Sequence, residues 1–167
     1  MTATYYTNTP MAFGSDDLVT QAYTEQKFPL GMYREEDGKG YRFVKQNDAT
    51  VTVTANSLAY HVGGTAATAY VVCQDVSDSD RNLVLGVYQS VIPDAGYGWI
   101  QTKGPCTVAT NGDDDIAAGD AVIASAAGDG TADSTAQDTA PICKVVGWAM
   151  AADSDSANTV LTMLTLD

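Results

Sequence analysis

The stretch GMYREEDGKGYRFVK, residues 31–45, decides the fold class of this chain. Two short runs that contain tyrosine flank Asp37-Gly38, a pair that favours a tight β-hairpin because glycine tolerates the positive φ of the turn. In the second run Tyr41 and Phe43 lie on one face, as the two-residue period of a strand requires. The stretch therefore predicts two paired antiparallel strands.

Strand signals continue to the end of the chain. Residues 50–54 read TVTVT, and this alternation is typical of a half-buried strand. Short runs rich in apolar residues, separated by clusters of Gly, Asp and Ser, predict further strands at 58–62, 69–74, 83–91, 98–102, 106–109, 120–125, 144–150 and 160–166. Regular short strands with such turns predict one all-β domain, either a sandwich or a barrel.

The first 30 residues show no sustained period, and we predict that they form an N-terminal arm beside a body of residues 31–167. A short helix from Ser15 through Gln26 is the one regular element expected there, and Phe28-Pro29 would end it. The arm carries aromatic side chains. It is either a floppy terminus or a segment that docks on a neighbouring chain, and the sequence leaves both interpretations open.

The net charge of -13 is distributed unevenly along the sequence. The first 45 residues hold five of the eight basic residues beside six acidic ones, whereas the rest of the chain holds fifteen Asp, no Glu and three basic residues. An acidic body repels the phosphate backbone, so we expect no nucleic acid as a direct partner. The near-neutral first quarter can approach another protein without that repulsion.

Cysteine usage and apolar runs indicate the compartment. Cys73, Cys106 and Cys143 are odd in number and widely spaced, which favours reduced, buried thiols over a disulfide framework. The first ten residues lack the basic and apolar regions of a signal peptide, and no apolar run approaches the roughly 20 residues that span a bilayer. We therefore expect a soluble protein made in the cytosol, with no membrane partner.

Groups that could carry chemistry do not assemble into a recognisable active site. The only histidine, His61, lies inside a predicted strand and has no nucleophile motif beside it. Clustered aspartates at 75–80, 113–120 and 153–155 are solvated turn acids or, alternatively, hold a calcium ion, although none follows the EF-hand pattern. We predict no catalytic residue, no metal, no cofactor and no enzyme activity. Trp99 and Trp148 are predicted to anchor the core or a subunit interface.

Several short pieces of the sequence resemble small virion proteins of tailed bacteriophages. FPLG at residues 28–31 and DGKGYRFVK at 37–45 resemble a hairpin that precedes a β domain in that group. GYGWIQTKG at 96–104, AGDAV at 118–122 and VVGWA at 145–149 resemble its later strands. The resemblance spans residues 28–166 and is carried by these short pieces together.

The resemblance implies a capsid decoration, or cement, protein without catalytic residues. Such a protein is made in the host cytoplasm, sits on the outer capsid surface of the virion, forms a homotrimer and braces neighbouring copies of the major capsid protein. The side chains expected to bind a partner are aromatic and basic residues of the near-neutral first quarter: Tyr5, Tyr6, Phe13, Phe28, Arg34 and Arg42.

Three other functions fit parts of the sequence. A head-fibre or tail protein would share the β-rich composition, although the chain lacks fibre repeats. A carbohydrate-binding or cell-surface β-sandwich would need an export signal and clustered exposed aromatic residues. An enzyme would need a nucleophile, a metal or an acid–base pair, and the sequence assembles none of these.

Overall fold

The computed structural model describes residues 18–47, 53–62, 69–75, 83–112, 116–125, 128–134, 145–153 and 158–166. These ranges contain β-strands and no α-helix, which confirms the all-β class. The strands are β1 (Tyr33–Glu36), β2 (Lys39–Gln46), β3 (Leu58–His61), β4 (Val71–Cys73), β5 (Val84–Tyr88), β6 (Tyr97–Ala109), β7 (Ala121–Ala124), β8 (Ala132–Ser134), β9 (Val145–Ala149) and β10 (Thr159–Thr165). Within the described ranges, no helix has the length and hydrophobicity needed to cross a membrane.

Five strands close into a barrel in the order β2-β4-β3-β5-β6, because β6 pairs with β5 on one side and with β2 on the other. β2 and β4 run parallel, and the other pairs of the barrel are antiparallel. Each of the five strands contributes one buried side chain to the same cluster: Val44, Val72, Ala59, Tyr88 and Ile100. This cluster is therefore the interior of the barrel, and side chains fill it.

The other strands extend the sheet from the second half of β6 in the order β6-β10-β9-β7-β8. A parallel bridge joins Thr110, just after β6, to Ala132 of β8. The last strand of this second part therefore lies next to the end of β6, the strand from which the second part starts. The largest buried cluster joins side chains on the outside of the barrel, such as Leu58 and Tyr60, to inward side chains of the second part, such as Leu164. The two halves therefore share one long strand and one core.

The predicted strands 98–102 and 106–109 are one strand, because β6 continues through Gly104 and Pro105, which have the composition of a turn. Gly104 takes a positive φ of 85° and bends the strand, which glycine permits without steric cost. The buried amide of Gln101 donates hydrogen bonds to the carbonyl oxygens of Lys103 and Pro105, at 3.0 and 2.9 Å. These bonds satisfy backbone acceptors at the bend, and pairing with β10 continues on both sides of it.

The predicted hairpin at Asp37-Gly38 is confirmed, with β1 and β2 paired antiparallel across it. Asp37 and Gly38 have φ values of 50° and 76°, the left-handed pair of a type I′ turn. Among the described strands β1 pairs only with β2, so it lies at one edge of the sheet. Charged side chains on β1, including Arg34 and Glu35, discourage pairing of this edge with another chain.

Residues 18–32 pack on the outer face of β2 and β6. No α-helix occupies residues 18–26, so the predicted helix is wrong there, and residues 15–17 lie outside the described ranges. Instead, Tyr23 and Tyr97 exchange two backbone hydrogen bonds of 2.8 Å. The segment follows the barrel because its aromatic packing outweighs a weak helical preference.

Two further differences concern short segments. Residues 50–52 of the predicted TVTVT strand lie outside the described ranges, and Val53 and Thr54 are not in a strand, although Val53 is buried in the barrel. The sequence does not predict β8, because Ala-Asp-Ser has little strand preference. This strand forms because β7 offers it a paired edge.

Candidate protein-binding surfaces

One side of β9 and β10 presents apolar side chains to solvent. Trp148 is 52% exposed, and Met150, Leu161 and Met163 are exposed as well. Met163 lies directly opposite Trp148 on one side and opposite Pro105 of β6 on the other. Met150 donates its backbone N–H to the Leu161 carbonyl at 2.7 Å, so Met150 and Leu161 are the next cross-strand pair beside Trp148 and Met163. We call Pro105, Trp148, Met150, Leu161 and Met163 the β9–β10 face.

Strand geometry explains why this face points outward. In β10 the alternate residues Thr162 and Leu164 are buried, so the residues between them face solvent. In β9 a register shift against β7 makes Val146 an extra residue, so that Val146 is buried while Trp148 is exposed. Gly147 has no side chain, which lets β9 lie directly against the backbone of β10. The exposure of Trp148 is therefore built into the strand pairing.

A pocket of about 450 Å³ adjoins the β9–β10 face at the bend of β6. Met163 and Pro105 belong to both the face and the pocket. The one charged residue in the pocket wall is Lys103, whose Nζ lies 3.5 Å from Oε1 of Glu35 in an exposed pair. An apolar pocket beside an exposed aromatic side chain is the arrangement found at the centre of protein interfaces.

Among the predicted partner-binding residues, Phe28 lies within the chain's own aromatic cluster. Its ring centroid is 5.2 Å from that of Phe43, 5.4 Å from that of Trp99 and 6.1 Å from that of Tyr23. Phe28 therefore fastens the segment 18–32 to the barrel. Tyr5, Tyr6 and Phe13 lie outside the described residues.

The structure places Arg34 and Arg42 on opposite faces of the β1–β2 hairpin. Arg42 lies directly opposite Tyr33, and its guanidinium carbon is 5.3 Å from the centroid of the tyrosine ring. Arg34 follows Tyr33 on β1, so its side chain points to the opposite face, and it forms an ion pair with Glu36. The two arginines therefore do not form one basic patch, and Arg42 with the exposed Tyr33 is the better candidate for a contact.

The described residues are unevenly charged along the chain, as the whole sequence is. Residues 18–47 form the arm and hairpin side and hold five basic and four acidic side chains. The other described residues hold Lys103 as their single basic residue, against six aspartates. The arm and hairpin side is thus near neutral, and the acidic side chains are concentrated elsewhere.

The structure describes several of the side chains that the sequence marked as candidates for chemistry. His61 is half-buried at the end of β3, opposite Val72. In the described ranges, no three His, Cys, Asp or Glu side chains lie close enough to hold a metal ion. The buried Asp153 accepts a 2.8 Å hydrogen bond from the Thr110 hydroxyl, which is a structural contact between loops. The aspartates at 113–115 lie outside the described residues.

Two of the three cysteines, Cys73 and Cys106, are buried and not joined to each other by a disulfide, and Cys143 lies outside the described ranges. Burial raises the pKa of Cys106 from 9.0 to about 11. The side chain of Gln89, which lies 3.7 Å from Sγ, and the charge of Lys39 act in the opposite direction but do not offset the burial. Cys106 therefore stays protonated at neutral pH.

We expect Cys106 to make the protein less stable as the pH rises from 9 towards 11. In that range the unfolded chain loses the thiol proton and the folded chain keeps it, so each pH unit lowers the free energy of unfolding by up to about 1.4 kcal/mol. Below pH 9 both states keep the proton, and this loss is absent. Urea unfolding of the wild type and Cys106→Ala across this range measures the effect, and equal pH slopes for the two proteins would contradict it.

The sequence predicts the β9–β10 face only in part. It predicts that Trp99 and Trp148 both anchor the core or an interface. In the structure Trp99 lies in the core and is 2% exposed, whereas Trp148 is exposed to solvent. A signal lies in β10, which reads TVLTMLT and has apolar residues on both faces. A strand with one solvated face normally alternates apolar and polar residues. The missing alternation indicates that both faces of β10 are suited to apolar contacts.

Comparison with known proteins gives no relative from which to transfer a function. No family model matches this chain, and no curated protein shows a significant match to it. The function is therefore inferred from the arm and hairpin side and from the β9–β10 face.

Proposed function

We propose that this protein decorates the outer surface of a tailed-phage capsid and braces neighbouring copies of the major capsid protein. The observation that carries the proposal is the uneven charge of the described residues, which are near neutral over 18–47 and acidic over the other ranges. A near-neutral side can lie against a protein shell, while an acidic side remains in solvent and away from packaged DNA. The short sequence pieces that resemble phage virion proteins point to the same role.

The scaffold suits a bracing role because its parts are firmly joined. β6 pairs with β2 and β5 in the barrel and with β10 in the second half, so one strand connects both halves. The segment 18–32 is held to the same strand through the Tyr23–Tyr97 hydrogen bonds. The arm side and the second half are thus joined through β6.

Exposed Trp148 is the one observation that favours a carbohydrate-binding protein instead. Sugar sites combine an aromatic platform with several convergent polar groups. The residues directly opposite Trp148 are Met163 on β10 and Ala121 on β7, and neither side chain provides a strong hydrogen-bond donor. Carbohydrate binding is therefore the second candidate, and a head-fibre or tail role remains compatible with the same scaffold.

Co-sedimentation with capsids tests the proposal directly. Capsids assembled from the major capsid protein of the same genome are mixed with the purified chain at micromolar concentration and pelleted. We expect saturable binding at a fixed ratio to the capsid protein, and a homotrimer in solution. Failure of the wild-type chain to pellet with both immature and expanded capsids would overturn the proposed function.

Variants on the arm and hairpin side locate the contact. Removal of residues 1–17 takes away Tyr5, Tyr6 and Phe13 but keeps Val19, which is buried against the barrel. We expect this deletion and Arg42→Gln each to weaken capsid binding by about tenfold or more, the loss of a single interface anchor. Asp94→Asn is the control, because it changes one charge at an exposed position outside the arm and hairpin side.

A further inference from the structure

We propose that the β9–β10 face binds a second copy of this chain. The proposal does not rest on capsid binding, because it starts from the face itself. Three buried clusters hold most other large apolar side chains of the described strands: one fills the barrel, a second joins the two halves, and the segment 18–32 covers the third. The remaining exposed ones are Tyr33, Leu83, Val91 and Val145. The β9–β10 face stands apart as a continuous set of large apolar side chains in solvent.

The composition of the face matches the centre of a protein interface. Its exposed side chains are large and apolar, and contiguous apolar patches on monomeric proteins are often functional. A stable interface buries about 800 Å² on each partner, with an apolar core and a polar rim. The face can supply such a core, and threonines beside it, Thr107 and Thr165, can contribute to the rim.

Charge favours this face over any other described surface as a contact between copies. Two chains that each carry -13 repel one another, so they can associate only where few charges approach. The β9–β10 face contains no ionisable side chain, and the nearest charged residue in the adjoining pocket is the basic Lys103.

The shape of the face is also suited to contact with the same face on a second copy of the chain. Trp148 is exposed next to Met163, and Met163 borders the pocket at the bend of β6. A second copy therefore brings an aromatic side chain that can enter the pocket of the first. The contact is between side chains of sheet faces, because β9 and β10 are each paired on both sides and offer no free strand edge.

Two measurements on the full chain test the proposal. Sedimentation or light scattering gives the mass from low to high micromolar concentration, and acrylamide quenching of fluorescence follows Trp148. Because the other tryptophan, Trp99, is buried, the quenchable signal comes from Trp148. We expect oligomers at high concentration, stronger association at higher salt because screening reduces the repulsion, and loss of quenching as the oligomer forms.

The double variant Trp148→Ser with Met163→Ser is expected to weaken association at least about tenfold. Val91→Ser is the matched control, because Val91 is 54% exposed but lies outside the face, and it should associate like the wild type. A circular dichroism spectrum and urea midpoint show whether the double variant remains folded. If the double variant does not fold, the quenching of Trp148 in the wild type is the test of the proposal.

The proposal is overturned if the wild type is a monomer at all concentrations and salts. It is also overturned if an oligomer forms while Trp148 stays equally quenchable, or if the folded double variant associates like the wild type. Self-association without capsid binding would uphold this inference and overturn the proposed function. Capsid binding by a chain that never self-associates would overturn this inference and the expected homotrimer, and would leave the capsid-binding role upheld.

Discussion

Phe43→Ala is expected to lower the free energy of unfolding by about 3–5 kcal/mol, the usual cost of truncating a buried phenylalanine. Phe43 is fully buried at the centre of an aromatic cluster. Its ring centroid lies 5.2 Å from those of Phe28 and Trp99, 5.9 Å from that of Tyr23 and 6.1 Å from that of Tyr97. Such ring pairs add about 0.5–1.5 kcal/mol beyond the area they bury.

The expected loss of unfolding free energy is large because Phe43 contributes to two parts of the fold. It is part of β2 in the closed barrel, and it is also the surface on which the segment 18–32 rests. Since domains of ordinary stability unfold at a cost of about 5–15 kcal/mol, this one truncation removes a substantial share of the total. Urea unfolding followed by circular dichroism measures it.

Phe28→Ala is the matched control, because Phe28 is half-buried and lies on the covering segment rather than in the barrel. We expect a smaller loss of global stability and a local effect instead: trypsin should cleave after Lys27 much faster than in the wild type. If Phe28→Ala and Phe43→Ala cost the same, the aromatic cluster would not be centred on the barrel strand.

The sequence predicted those parts of the fold that short segments determine. Asp37-Gly38 specifies its turn through backbone conformation alone, so the hairpin could be predicted from two residues. Most other strands carry β-branched and apolar residues between turn clusters, and these signals are local as well. The all-β class follows from them.

Other features depend on contacts that are distant in sequence. Gly104-Pro105 has the composition of a turn, but pairing with β10 and the Gln101 hydrogen bonds keep it within β6. The segment 18–26 has weak helical signals, but the backbone bonds between Tyr23 and Tyr97 fix another path. Single-residue preferences contain no information about such partners.

The candidate surfaces were predictable to different degrees. The near-neutral side follows from charges counted along the sequence, but the separation of Arg34 and Arg42 onto opposite hairpin faces needs the strand register. Predicting the β9–β10 face requires more than the register of one hairpin, since the exposure of a side chain depends on which neighbouring strands cover it. The extra residue at Val146, which leaves Trp148 in solvent, is set by pairing with β7.

Gly147→Ala is expected to destabilise the protein by about 3 kcal/mol, the upper end of the usual cost of overpacking a core. A methyl group at this position would lie far inside van der Waals contact with the carbonyl oxygen of Met163. That oxygen belongs to the backbone of the paired strand β10, so no side-chain rotation can relieve the clash. β9 and β10 must move apart, and their hydrogen bonds must lengthen.

Gly119→Ala separates this clash from the general effect of replacing a glycine. Gly119 has a φ of 94°, and an added methyl group would meet no atom within 4 Å. Its substitution therefore costs only backbone strain, about 1–2 kcal/mol. Hydrogen exchange provides the second measurement: the Met150 amide, which donates to Leu161 across the two strands, should lose protection in Gly147→Ala and keep it in Gly119→Ala. Equal unfolding free energies and equal protection in the two variants would show that β9 does not need its close approach to β10.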